Sequence, residues 1–285
     1  MGRGMEFRTP EGQQRYDDLV ADASRTVVGL DFDGVLAPIV EDPAKATIHP
    51  DGPRTLVALA AQVRGVAVIT GRPARQAIAL GHLDEVGEEL TEQGRVLHLL
   101  GQYGNERWSS VERRVISPRP PRGLSRFMSE LPVLLRRNDA GEAFVEEKGL
   151  AVAVHTRRLP DPTGTFERLL PVLTEAAAEH GLGVEPGRMV IEVRAPGMDK
   201  GQALRSIHTE LDGHGVMFAG DDLGDVEAFR AGRALRDEGR PGLLVCSGSE
   251  EQVALVELSD IVVDGPEGVL AFFRQFARDA AAAAG

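Results

Sequence analysis

Residues 27–39 read VVGLDFDGVLAPI: an apolar run, two aspartates (Asp31 and Asp33) one residue apart, then a proline-marked turn. The short β-branched run TVVGLDF predicts a strand buried on both faces. A buried strand that ends in two carboxylates needs a reason, because like charges repel and resist leaving water. Residues two apart in a strand face the same way, so the two carboxylates would act on one point.

Outward from this strand the chain alternates. DGPRTLVALAAQV (51–63) has apolar residues at helical spacing, GVAVIT (65–70) is a second buried strand, RPARQAIALG (72–81) starts a helix and VLHLLGQYG (96–104) reads as a third strand. Strands alternating with helices predict a parallel α/β sheet. The pattern changes at PRPPRG (118–123), a stiff boundary. Next come a helix (124–137), two strands (142–147 and 150–158), a helix (164–181) and two strands (182–186 and 188–195). The short turns at Lys148-Gly149 and Pro186-Gly187 predict antiparallel pairing, hence a compact α+β unit. From Asp199 the α/β style returns, with DDLGDVEAFRAG (221–232) read as a helix between the strands GVMFAG (215–220) and GLLVCSG (242–248). The expected domains are a core over 1–119 and 197–285, with an inserted unit over 120–196.

Composition bounds the function. The chain has 285 residues, 42% hydrophobic and 27% charged, which suits an ordinary globular protein. A formal net charge of -12 argues against nucleic acid or an anionic membrane as partner. A small anionic substrate stays possible where a local cation inverts the field. One cysteine, Cys246, allows no internal disulfide. The N-terminus lacks the apolar core of a signal peptide, and no apolar run reaches membrane-spanning length. These features lead us to expect a cytoplasmic protein.

The chemistry collects at strand ends. Asp31 and Asp33 follow one buried strand; Thr70, Gly71 and Arg72 follow the next; Asp221, Asp222 and Asp225 follow a third. Ligands of open parallel sheets bind beyond the carboxyl ends of the strands, so the clusters should meet. So many carboxylates need a cation, and an all-oxygen donor set favours a hard ion, magnesium first. Asp221 and Asp225, four apart on the expected helix, would share a face. One carboxylate of the Asp31/Asp33 pair can attack phosphorus while the other handles protons. Lys200 opens a helix, where a cation is mildly unfavourable, so its placement calls for a functional role. The bland alternatives are a solvated turn at Asp31–Asp33 and an acidic helix start at 221–225. An EF-hand fails for want of Gly at Leu36 and Glu at Asp42. Arg72 could bind phosphate or clamp an acidic loop, and Thr70 could cap the next helix.

DFDGVLAPI, VITGR, DK and GDDLGD resemble the four signature motifs of the haloacid dehalogenase-like phosphatases. The longer strings DFDGVLAPIVEDPAKA, GQYGNERW, EEKGLAVAVHTRR, GRMVIEVRAPGMDKGQAL and FAGDDLGDVEAF resemble the bacterial trehalose-6-phosphate phosphatases, over about Val27 to Phe229. The resemblance implies a Rossmann-like core, an inserted α+β cap and Mg2+. It implies Asp31 as nucleophile, Asp33 as acid/base, and Thr70, Gly71, Arg72 and Lys200 at the phosphate. The implied metal ligands are Asp31, the Asp33 carbonyl and Asp221, with Asp225 or Asp222 in support. The small-molecule substrate would be trehalose 6-phosphate, supplied by a separate synthase. The same motifs would also serve another sugar phosphate, such as sucrose 6-phosphate or a glycosyl-glycerate phosphate, or a non-catalytic phospho-accepting module. The family usually has threonine where Val35 stands and serine where Ala151 stands.

For the sugar, the candidates are Arg107, Lys148, His155, Arg157, Glu192 and Arg194, with Tyr103 and Trp108 able to line a cleft. In VIEVRA (190–195), Ile191 and Val193 should face one side of the strand, and Val190, Glu192 and Arg194 the other. Glu192 and Arg194 could meet a sugar's hydroxyls or simply pair in solvent. Trp108 could equally be core packing.

Overall fold

Thr26–Leu30 is buried at all five positions, as a strand covered on both sides must be. The computed structural model of the chain, which describes residues 6–8, 10–40, 42–187, 189–248 and 253–285, sets it in the middle of an eight-stranded sheet. Two compact units are present: Met1–Ser117 with Asp199–Gly285, and Pro118–Met198.

The first unit begins with β1 (Glu6–Phe7), α1 (Pro10–Ala21), β2 (Thr26–Leu30), α2 (Gly52–Ala60), β3 (Gly65–Ile69), α3 (Ala74–Gly81), α4 (Leu83–Glu92), β4 (Leu97–Gly101) and β5 (Glu106–Ser109). The second unit then contributes α5 (Leu124–Arg137), β6 (Phe144–Glu147), β7 (Ala151–His155), α6 (Pro162–Glu179), β8 (Gly183–Gly187) and β9 (Val190–Arg194). The first resumes with α7 (Lys200–Glu210), β10 (Gly215–Gly220), α8 (Val226–Asp237), β11 (Gly242–Gly248), α9 (Val253–Leu258), β12 (Ile261–Asp264) and α10 (Gly265–Ala283).

The large sheet runs β1-β12-β11-β10-β2-β3-β4-β5. All neighbours are parallel except the two edges, β1 on β12 and β5 on β4. Alternate strand residues feed two cores. Val28, Leu30, Val66, Val68, Met217 and Ala219 pack with residues of α1–α4 and α10. Val27, Ala67, Ile69, Val216 and Phe218 pack with α7, α8 and α9. From β2 the chain winds outward through β3 and β4, then returns to β10 on the other side and winds away through β11 and β12. The switch between β2 and β10 is where an open sheet leaves a crevice at its strand ends.

The second unit is a sheet in the order β6-β7-β9-β8, antiparallel throughout. Val152, Val154, Ile191 and Val193 pack on one face against α5 and α6. Two expectations need correction. β8 continues through Pro186 and Gly187, which pair with Ile191 and Val190, so the reversal falls after Gly187. Residues 221–232 are not one helix: Leu223–Asp225 is a 3-10 turn and α8 starts at Val226. Among the described residues no helix is long and apolar enough to cross a membrane.

Candidate active site

Register brings three strand ends to one level. Leu30 lies opposite Ala219 of β10 and Val68 of β3, and the Asp31 amide donates to the Ala219 carbonyl at 2.9 Å. β2 stops at Leu30, so both aspartates stand just beyond it. Their loop is folded on the Phe32 carbonyl, which accepts from the amides of Leu36 and Ala37 at 2.9 and 2.8 Å. Asp31 is buried. Its Oδ1 accepts from the Phe32 amide at 2.7 Å, and its Oδ2 lies 2.7 Å from Nζ of Lys200. Lys200, also buried, donates to Oδ1 of Asp225 at 2.7 Å. One ammonium thus bridges carboxylates from two strand ends.

Asp225 does not share a helix face with Asp221. Its Oδ2 accepts from the amides of Asp221 and Asp222 at 2.9 and 3.2 Å, and its Oδ1 is taken by Lys200. It therefore fixes the loop that presents Asp221. Asp222 caps the 3-10 turn by accepting from the Gly224 amide at 2.9 Å. The helix cannot start earlier while these side chains hold the amides of its first turn.

Asp31, Asp221, Asp222 and Asp225 each offer a carboxylate oxygen, all within 4.8 Å of one another. Among the described residues, Lys200 is the one cation in direct contact with them. Burial pushes the Asp31 carboxyl well above the usual carboxylate range; Lys200 opposes the shift, while Asp225, Asp222 and Asp33 add to it. Burial, then Asp31, Asp222 and Asp225, push Asp221 up to about 10. Burial also raises Asp225, against Lys200. For Lys200, burial favours the neutral amine, but Asp225, Asp31 and Asp222 outweigh it and hold the ammonium well above the usual lysine range. Fully ionised, such a cluster carries more negative charge than one lysine can balance, and its donors are all oxygen, so it fits a hard divalent cation that would displace the retained protons. Gly34 fits the same use. Its φ is +67°, and a Cβ there would collide with the Asp221 carboxylate.

The loop after β3 reaches Asp33 through Arg72. Thr70 is buried and its Oγ1 accepts from the Arg72 amide at 3.1 Å. It closes its own turn rather than capping α3, whose Ala74 amide is taken by Glu106 at 2.6 Å. Of the two readings of Arg72, the clamp is the one observed. Its Nε and Nη2 donate to Asp33 Oδ2 and Oδ1 at 2.7 Å each, a bidentate fit. Its Nη1 donates to the Pro43 carbonyl at 2.9 Å, and the guanidinium lies 5.7 Å from the Phe32 ring centroid.

Arg107 is not brought to this cluster. It pairs with Glu210 and donates to Ser206 Oγ at 2.6 Å. Ser206 and Glu210 lie about 9 and about 15 Å along α7 from Lys200, at ~1.5 Å per residue. Trp108 is buried in the apolar core, so packing is its role. Val35 is fully buried in the same core.

In the second unit, residues opposite one another share a face. His155 and Ala153 of β7 face Val190 and Glu192 of β9, and Ala151 faces Arg194. Glu192 and Arg194 are 5% and 9% exposed, so they do not form a solvated pair; their own separation is 3.9 Å. Lys148 Nζ instead lies 2.6 Å from Glu192 Oε2. Arg194 donates to Glu185 at 3.1 Å and to the Met198 carbonyl. His155 Nε2 is 2.9 Å from Glu146 Oε2. Arg157, in the turn after β7, is exposed. A charged row thus runs over β9, beside the small Ala151 and Ala153.

Two features escaped the sequence reading. Ser247, at the end of β11, is buried and donates to the Gly34 carbonyl at 2.6 Å; its signal was a hydroxyl at the end of another buried strand. Gln102 and Tyr103 strap the Thr70–Arg72 loop through their amides; the glycines at 101 and 104 were the hint.

The parallel core with its strand-end carboxylates and inserted antiparallel unit is a haloacid dehalogenase-like fold. The C-terminal domain of the Candida albicans trehalose-6-phosphate phosphatase superposes with a TM-score of 0.74 at 18% identity, covering 97% of this chain and 99% of that one. The trehalose-phosphatase family model matches residues 137–258. Trehalose-phosphate phosphatase B of Arabidopsis thaliana is 27% identical over 272 residues, 89% of this chain and 68% of that protein. The chain is thus similar to trehalose-phosphate phosphatases in fold and over part of its sequence, and its acidic cluster has the donors to hold a metal ion. An uncharacterized glycosyl hydrolase of Mycobacterium tuberculosis is 34% identical over 237 residues, 79% of this chain but only 17% of that protein's length.

Proposed function

We propose that this chain is a phosphoric monoester hydrolase that converts trehalose 6-phosphate to trehalose and phosphate, with Mg2+ as its metal. The observation that carries the reading is Asp31: a buried carboxylate at the switch point, held by Lys200, inside an oxygen cluster and two residues from a clamped Asp33. When bound, Mg2+ would be held by Asp31, the Asp33 carbonyl and Asp221, and would neutralise charge on the phosphoryl group.

Asp31 attacks phosphorus. A P–O bond forms to its carboxylate as the P–O bond to the sugar breaks. Asp33, released from Arg72 by the arriving phosphate and carrying a proton taken from solvent, gives that proton to the departing sugar oxygen. Asp33 then takes a proton from water, whose oxygen attacks the aspartyl-phosphate and releases phosphate and the Asp31 carboxylate. Lys200 and Thr70 balance the transferring charge. Arg72 orients Asp33 in the resting chain, and an arriving phosphate dianion offers it a second partner. Lys148, Glu192 and Arg194, with His155 and Arg157, are the proposed sugar-reading groups. The substrate would come from a separate synthase, in a cytoplasmic setting.

The test is phosphate release from a panel of sugar phosphates with and without Mg2+. Activity on none ends the enzymatic reading, including the choice between trehalose and sucrose phosphates. Comparable rates on many monosaccharide phosphates end the trehalose assignment. Asp31→Asn should abolish turnover; retained activity would remove it as nucleophile.

A further inference from the structure

Two successive residues after β4 adopt left-handed backbone without being glycine: Gln102 at φ +46° and Tyr103 at φ +61°. L side chains seldom take this conformation, and it persists where the surroundings hold it. Here it aims two amides at the loop after β3. Gln102 N–H donates to the Arg72 carbonyl and Tyr103 N–H to the Thr70 carbonyl, each at 2.9 Å. The Tyr103 ring walls the loop, since a Cβ on Gly71 would stand 2.9 Å from it.

The consequence lies in the peptide that joins Thr70 to Gly71. It is trans, so its N–H points opposite to its carbonyl. The carbonyl turns toward Tyr103 on the β4 side. The Gly71 N–H therefore turns toward β2, which lies on the other side of β3. β2 leads into Asp31 and Asp33, and Arg72 of the same loop reaches Asp33. The Gly71 amide has no hydrogen-bond partner among the described residues. An aimed N–H without a protein acceptor is a ready donor to an anion.

We infer that Gln102 and Tyr103 are positioning residues of the phosphate site: their left-handed backbone turns the Gly71 N–H toward the phosphoryl oxygens. The inference rests on the reading of this loop as phosphate-binding, and it concerns backbone geometry rather than either side chain's chemistry.

The test compares a residue that resists positive φ with one that accepts it. Inorganic phosphate binding is measured by calorimetry in Mg2+, with circular dichroism and a melting curve as checks on folding. Tyr103→Val should weaken phosphate binding about tenfold or more, the loss expected for a charge-assisted hydrogen bond. Tyr103→Gly, which keeps the N–H and accepts the conformation, should stay within about threefold. Should Tyr103→Val fail to fold, Gln102→Val against Gln102→Gly makes the same comparison. Equal effects of valine and glycine, an unchanged affinity in the valine variant, or a parent chain that binds no phosphate would each overturn the inference. A parent that binds phosphate but hydrolyses no sugar phosphate would remove the catalytic reading and leave this one standing.

Discussion

Stripping the divalent cation should make this chain less stable as pH rises through neutrality. Asp221 has an ordinary pKa of 3.8 in the unfolded chain and about 10 in the folded one. Between those values the native state keeps a proton that the unfolded state has released, so stability falls as pH rises. The slope for one such group is about 1.4 kcal/mol per pH unit. From pH 6 to 8 that is about 2.7 kcal/mol, a sizeable part of the roughly 5–15 kcal/mol of a typical domain. Asp31 and Asp225, also raised by burial, act in the same direction. Lys200 is raised above 10.5; its stabilisation is fully present below that value and does not change in this window.

A cation reverses the trend, because it binds the ionised carboxylates of the native state. At a hundred times its dissociation constant it adds about 2.7 kcal/mol. The assay is thermal unfolding at pH 6, 7 and 8, in chelator and in Mg2+. It can be followed by the fluorescence of Trp108, the sole tryptophan, which sits in the core of the first unit. The metal-free midpoint should drop by roughly 5–10 °C across the range, and the shift on adding Mg2+ should be larger at pH 8 than at pH 6. Asp221→Asn should flatten the metal-free slope. A metal-free midpoint that is constant or rises with pH would refute the argument, as would a metal shift that does not depend on pH.

Gly34→Ala places a methyl group against the Asp221 carboxylate at a positive φ; calorimetry should find Mg2+ affinity down at least about tenfold, with a stability cost of about 1–3 kcal/mol. Arg72→Ala should lower kcat about a hundredfold by leaving Asp33 unoriented in the resting chain, and Arg72→Lys should recover little, since an ammonium cannot reproduce the bidentate fit. Recovery by lysine would mean that charge alone matters. Val35→Thr should cost about 1–3 kcal/mol in urea unfolding, by burying an unpaired hydroxyl in an apolar core. Its kcat should stay within about threefold of the parent, because the side chain packs in the apolar core.

What could be read from the sequence was what depends on local period and chain order. β2, β3, β4, β10 and β11 stood out as apolar runs; the strand-end rule pointed to Asp31 and Asp221 without any coordinates, and the odd cation at a helix start pointed to Lys200, which the structure places against Asp31. The helix α1 was missed because it buries only Gly12, Tyr16 and Leu19, too sparse a stripe to show a helical period. The partner of Arg72 was open because it depends on the register between two strands 39 residues apart in sequence. Spacing misled at Asp225, where capping side chains delay the helix. It also misleads at Val35. Alternation carried on from Asp31 through Asp33 would set Val35 beside both carboxylates. The strand has already ended at Leu30, and Gly34 at φ +67° breaks the alternation before residue 35 is reached. The backbone turn that clears space for Asp221 thus sends the next side chain into the core. The side chain at residue 35 therefore acts on the apolar packing of the first unit, not through the alternation that would have set it beside Asp31 and Asp33.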